Sequence, residues 1–196
     1  MSLSITGGEF NGSVLRTPTG ANLTRPTSGK VRQALFNILN HHVDGGVEGS
    51  DFLDLFAGSG SVGLEALSRG ARKTVLVENH PAAFKVLEAN CRLLLSRGAD
   101  SAAVEWLRQD ARSFCKNERG KTATATPDAR FDVVFADPPF GQDFSGLPEL
   151  LRPLLTPGGV AVVQFPTRNP PEWVASLGEG GRVLVYGESS LAVFGR

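Results

Sequence analysis

From Asp51 onward the chain alternates short apolar runs with stretches whose apolar residues recur every three to four positions. Asp51-Phe52-Leu53-Asp54-Leu55-Phe56 reads as a buried strand; glycines follow, and Val62, Leu64, Ala66 and Leu67 then mark a helix. Thr74-Val75-Leu76-Val77-Glu78 is a second strand. Pro81 suits the first turn of a helix whose period runs through Ala83, Val86, Leu87, Asn90 and Leu94 to about Arg97. Residues 104–107 predict a third strand and 111–116 a short helix, while 117–127 lack an apolar period and read as a surface loop. Residues 131–136 form a near-continuous apolar run of the kind buried on both faces. Residues 159–165 follow as a fifth strand, and 182–186 with 191–194 as a closing antiparallel pair turning at Gly187.

Repeated β-α units of this kind imply an α/β fold, a doubly wound, mostly parallel sheet with helices on both faces and ligands outside the carboxyl ends of its strands. The first 48 residues break the pattern. Gly7-Gly8 and Asn11-Gly12 punctuate two short extended runs, and a helix starts near Thr27-Ser28, an N-cap pair. Val31, Leu35, Ile38 and Leu39 form its apolar face, with Lys30 and Gln33 outward, and Asp44-Gly45-Gly46 ends the unit. Because about 40 residues rarely fold unaided, residues 1–48 read as an extension of a main domain over 49–196.

Composition refines this picture in two places. Net charge is zero, which argues against a strongly nucleic-acid-binding surface. Yet the first forty residues hold four basic groups, Arg16, Arg25, Lys30 and Arg32, against Glu9 alone, so +3 there is balanced by −3 elsewhere. That asymmetry points to a basic N-terminal arm on a neutral or acidic body. The two cysteines, Cys91 and Cys115, have no metal-type spacing and build no disulfide framework, which makes a reducing cytoplasm the expected compartment. The first residues lack the basic and apolar regions of a signal peptide, and no window approaches the roughly 18 apolar residues that span a bilayer.

The candidate chemistry lies at strand ends. Gly58-Ser59-Gly60-Ser61-Val62-Gly63 is a G-x-G-x-x-G, and Glu78 stands twenty residues after Gly58. Such a loop admits close backbone approach to a ligand, and the acid suits ribose hydroxyls, as in a dinucleotide site. Asp54 separates two ligands that share adenosine. Beside a pyrophosphate its charge repels; beside a sulfonium and an α-ammonium it attracts, directly or through water. S-adenosylmethionine is therefore favoured over NAD. At the end of strand three, Asp110 could accept a hydrogen bond from an adenine amine or cap the helix starting at Ala111.

Strand four ends in Asp137-Pro138-Pro139-Phe140. Two prolines make a rigid turn and remove two donors, leaving a carboxylate and a free carbonyl. An aromatic amine offers two N–H donors, but its lone pair is delocalised into the ring. Acceptance of both protons by Asp137 and the Pro138 carbonyl favours a pyramidal nitrogen aimed at a methyl group, with Phe140 stacked on the base. Asp137 could also take the proton late.

Together with Arg25-Pro26-Thr27-x-x-x-Val31-Arg32-x-x-Leu35-Phe36-Asn37 and Leu53-Asp54-Leu55-Phe56-Ala57-Gly58-Ser59-Gly60, the Asp-Pro-Pro-Phe turn resembles one branch of the amino methyltransferases. That branch is the bacterial 16S ribosomal RNA guanine-N2 methyltransferase family, and the resemblance runs from Ile5-x-Gly7-Gly8 to Tyr186-Gly187. It implies a seven-stranded methyltransferase sheet, S-adenosylmethionine as cofactor, and 16S ribosomal RNA or a small-subunit particle as partner, with a monomeric enzyme and no metal. The implied cofactor contacts are Asp54, Phe56, Gly58, Ser59, Gly60 and Glu78 around the loop, then Asn79, Asp110, Ala111 and Thr27. Arg16, Arg25, Lys30 and Arg32 are the expected RNA contacts, since Ser4, Asn11 and Ser13 stand where the family usually carries basic residues. Other readings of the same residues are an amino methyltransferase for adenine or a protein glutamine, a nicotinamide-dependent oxidoreductase, and an RNA-binding protein without activity.

Overall fold

The computed structural model describes residues 3–18, 29–42, 46–124, 131–139, 145–178 and 180–195. Two short strands, β1 (Leu3–Ser4) and β2 (Val14–Leu15), pair antiparallel ahead of α1 (Gly29–His42). The alternating units follow: β3 (Asp51–Leu55), α2 (Ser61–Ser68), β4 (Lys73–Val77), α3 (Pro81–Ser96), β5 (Val104–Leu107) and α4 (Ala111–Thr124). The chain continues through β6 (Phe131–Ala136), α5 (Leu147–Leu151), β7 (Leu155–Pro166), β8 (Arg182–Tyr186) and β9 (Ser189–Gly195).

Seven strands form one sheet in the order β5-β4-β3-β6-β7-β9-β8. The pairs from β5 to β7 are parallel, and β9 runs antiparallel to both β7 and β8. After β3 the chain builds toward β5 on one side and returns to β6 on the other. The carboxyl ends of β3 and β6 therefore flank the switch point, where such sheets open for ligands.

Alternation along the strands divides the core into two faces. Leu53, Leu55, Val134, Ala136, Ala161 and Val163 pack with Phe114, Cys115, Leu151 and Trp173. Phe52, Val133, Phe135, Val160 and Val162 face the opposite way, onto Val31, Leu35, Phe36, Ile38 and Leu39 of α1 and Val62 and Ala66 of α2. The apolar stripe of α1 is thus the one its periodicity predicts, with Lys30 and Gln33 exposed. Ile5, Phe10 and Leu15 cover Leu64, Leu67, Leu87, Cys91 and Leu94, so the segment 3–18 lies over α2 and α3. With that cover in place, all eight residues of α2 are buried.

Three expectations change. Helix α4 runs to Thr124, so residues 117–124, expected as loop, are helical. Its apolar anchors Ala111, Phe114 and Cys115 occupy only the first turns, and beyond them no proline stops the helix, while a single glycine costs only about 1 kcal/mol. Strand β7 begins at Leu155, because Phe131 pairs with Leu155 before the register shifts to Val133 with Val160. A bulge of this kind interrupts the alternation that periodicity detects. The short helix α5 has too few residues for a helical period to show. Among the described residues no helix is long and apolar enough to cross a membrane.

Candidate active site

The loop after β3 turns sharply. Phe56 is a non-glycine residue at φ 67°, followed by Gly58 at 57° and Gly60 at 80°. A left-handed backbone at a bulky residue costs about 1–2 kcal/mol, and it persists only where its surroundings hold it. The Ala57 N–H donates to the Val77 carbonyl at 2.9 Å, and the Gly60 N–H to the Ala57 carbonyl at 2.7 Å. The two glycines answer different needs. A Cβ on Gly60 would lie 2.6 Å from Leu87 Cδ1, whereas one on Gly58 would meet nothing nearer than the Phe56 carbonyl at 4.0 Å. Gly60 serves packing, and Gly58 presents open backbone.

Asp54 is 1% exposed, and its Oδ2 accepts the Gly63 N–H at 2.9 Å. Gly60, the residue before α2, offers no side-chain cap, so a carboxylate from β3 satisfies a free donor in the first turn of that helix. Asp54 Oδ1 is buried without a hydrogen-bond partner. Burial pushes this carboxyl up to about 8; the Gly63 bond opposes that rise, and the negative charges of Asp137 and Glu78 add to it. Carboxylates at the ends of the two flanking strands therefore both act on Asp54.

Glu78 braces the loop from β4. Its Oε2 accepts the Gly58 N–H at 2.8 Å and its Oε1 the His80 N–H at 2.6 Å. Asn79 beside it is exposed. Asp110 follows β5 and caps α4, its Oδ1 accepting the Ser113 N–H at 2.9 Å, while Ala111 behind it is buried. The capping alternative is realised, and the exposed carboxylate keeps lone pairs for a second donor. Ser59 is buried, with its carbonyl bonded to Asn90. Asp137, Pro138 and Pro139 are half-buried and directly follow Ala136, which pairs with Leu55 of β3. The turn thus stands beside Phe56 and Ala57. Phe140, Thr27 and Arg25 lie outside the described residues.

The donor set fits S-adenosylmethionine. A buried carboxyl oxygen without a donor suits a ligand carrying positive charge, and a pyrophosphate would add negative charge beside Asp137 and Glu78, whose charges already oppose ionisation of Asp54. Among the described residues no group of three or more His, Cys, Asp or Glu is placed to hold a metal ion.

The basic residues divide. Arg16 and Lys30 are exposed. Arg32, expected to contact RNA, is 2% exposed: its Nε donates to Glu65 Oε2 at 2.6 Å and its Nη2 to the Ser4 carbonyl. Arg32 turns inward for a simple reason. Glu65 sits on a helix buried all round, and its charge needs a partner inside. Glu65 and Asn90 are the residues whose roles the periodicity left unread. The available signal was a polar side chain at a position of apolar period, as Asn90 is between Leu87 and Leu94.

A sheet of this order with one reversed strand, carrying an acid-braced glycine loop at its switch point, belongs to the S-adenosylmethionine-dependent methyltransferases. The protein is an enzyme of that class. Residues 3–194 match the family described as Conserved hypothetical protein 95, and the chain belongs to it. The ribosomal RNA small subunit methyltransferase D of Escherichia coli K12 is 37% identical over 138 residues, covering 70% of this chain and 60% of that protein. The chain thus spans less than two thirds of that relative. A hypothetical protein of Thermus thermophilus superposes with a TM-score of 0.78 at 32% identity, covering 98% of this chain and 99% of that one. The 16S rRNA N2 G1207 methyltransferase of the same species, solved with AdoMet and guanosine, shares the fold at TM-score 0.62 and 24% identity, over 90% of this chain and 44% of that one.

Proposed function

We propose that this protein transfers a methyl group from S-adenosylmethionine to the exocyclic N2 amine of a guanine in 16S ribosomal RNA, met as free RNA or within a small-subunit particle. The observation that supports the chemistry is the pairing of Ala136 with Leu55, after which one strand runs into the Asp-Pro-Pro turn and the other into the cofactor loop. The acceptor follows the relatives named for small-subunit ribosomal RNA and the Arg-Pro-Thr segment at 25–27.

Bound S-adenosylmethionine would supply a methyl group on a positively charged sulfur. Asp54 faces that charge or the α-ammonium, directly or through water. Glu78 keeps lone pairs for ribose hydroxyls after accepting the Gly58 and His80 N–H groups. Asp110 serves the adenine amine, and Phe56, Ser59, Gly60, Asn79, Ala111 and Thr27 complete the cofactor contacts. Asp137 and the Pro138 carbonyl accept hydrogen bonds from the two amine N–H groups, Pro139 fixes the turn, and Phe140 stacks on the base. Methylation of the amine, with the donor's S–C bond exchanged for the new N–C bond, would leave a surplus proton for Asp137 to take and pass to solvent. Arg16, Lys30 and Arg25 meet phosphates.

Residues 1–48 act as an arm of the catalytic body 49–196, as supported by the burial of Ile5, Phe10 and α1 against it. The enzyme works as a monomer in the cytoplasm; two buried free cysteines accord with that compartment. The test is incubation with labelled donor and small-subunit particles that lack the modification, followed by mapping. Label on N2 of a guanine in 16S RNA is expected. Label on adenine or on a protein glutamine overturns the acceptor, and tight NADH binding without S-adenosylhomocysteine binding overturns the cofactor.

A further inference from the structure

Asn90 lies in α3, fully buried beside Leu87, Cys91 and Leu94. Its side-chain amide bonds to two distant segments at once. Oδ1 accepts the Arg16 N–H at 2.9 Å; Nδ2 donates to the Arg16 carbonyl at 3.0 Å and to the Ser59 carbonyl at 2.8 Å. Both amide hydrogens and the oxygen are thereby used, and no other uncharged side chain of this length offers two donors and an acceptor. Ser59 stands between the two left-handed glycines of the cofactor loop, and Arg16 is the first residue after β2, with its side chain exposed.

A buried asparagine at an apolar position is costly unless every polar atom is satisfied. Here the satisfied bonds tie the donor-side loop to the arm proposed to hold RNA. We infer that Asn90 is a positioning residue that joins these two segments: a filled cofactor site steadies the arm at Arg16, and RNA held at Arg16 tightens the cofactor in return. The inference rests on the proposed donor and acceptor. Reciprocity is required thermodynamically, because one coupling free energy governs both affinities. The joint acts through three hydrogen bonds and a single side chain, so it can be severed without substituting a residue that contacts either ligand.

Amide exchange reads the joint directly, since the Arg16 N–H is one of its bonds. In the full-length wild-type protein, saturating S-adenosylhomocysteine should slow exchange across residues 13–18 by about 5-fold, the low end of ordinary coupling factors. In Asn90→Ala and Asn90→Asp, which lose both Nδ2 donors, the ligand should still bind but leave that exchange unchanged. Likewise, a 16S RNA transcript should raise S-adenosylhomocysteine affinity about 5-fold in the wild type and leave it unchanged in the folded variants. Equal slowing in wild type and folded variants overturns the inference, as does ligand binding to wild type without slowing. If both variants fail to fold, residue-resolved exchange in the wild type decides: slowing greatest at the Arg16 amide supports the joint, and its absence there overturns it. A chain that binds no S-adenosylhomocysteine overturns the cofactor reading instead.

Discussion

Arg32 and Glu65 form an ion pair inside the protein, Nε to Oε2 at 2.6 Å, with side chains 2% and 0% exposed. Glu65 Oε1 also takes Arg69 Nη2 at 2.7 Å and the Thr6 hydroxyl, so one carboxylate knits α1, α2 and the N-terminal segment together. Removal of one partner of a buried pair leaves an uncompensated charge, at a cost of about 3–5 kcal/mol. Arg32→Ala and Glu65→Ala should each lower the unfolding free energy measured by urea titration by that order, and Arg32→Lys, without the forked guanidinium, should rescue only part of it. An Arg32→Ala protein of unchanged stability with weakened RNA binding would restore Arg32 to the RNA surface.

Asp54 predicts a pH dependence with a definite sign. Its carboxyl is protonated in the folded protein up to about 8, whereas in the unfolded chain it ionises above its usual 3.8. Between those values the folded state holds the extra proton, so the ligand-free protein loses stability as pH rises through this window. Asp54→Asn should flatten that slope in urea titrations across the same range. A cationic ligand favours the ionised form, so S-adenosylmethionine binding should release a proton below pH 8 and weaken as pH falls. Titration calorimetry in two buffers of different ionisation heat measures this release. Asp54→Ala should weaken binding by roughly 1–3 kcal/mol, and unchanged affinity would remove Asp54 from the site.

Asp137→Ala should abolish methyl transfer while leaving S-adenosylhomocysteine affinity within a few fold. Turnover equal to wild type would sink the amine-receptor mechanism. The same variant removes a negative neighbour of Asp54, so the pH midpoint of cofactor binding should shift downward.

The glycine pair separates packing from ligand approach. Gly60→Ala drives a Cβ to 2.6 Å from Leu87 Cδ1 at a φ of 80°, and should lose both stability and cofactor binding. Gly58→Ala meets no atom inside 4.0 Å, so its thermal midpoint should show only the left-handed cost of about 1–2 kcal/mol. Its cofactor affinity should fall further than that cost explains. Equal losses in the two variants would argue against a ligand at Gly58.

The local chemistry was legible in the chain itself. Alternation and period mark the core strands and the apolar face of α1, and the spacing from Asp54 through Gly58 to Glu78 marks the loop, because these signals depend on residues a few positions apart. The Asp-Pro-Pro turn is equally local, since proline fixes its own backbone. Tertiary structure decided what the buried polar groups do. Asp54 caps a helix that its own N-terminal residue leaves uncapped, Arg32 turns inward to a glutamate 33 positions away, and Asn90 reaches 74 positions to Arg16. A buried donor or charge must find a partner wherever the fold brings one within about 3 Å. That requirement says that a partner exists, and only the packed chain says which residue it is.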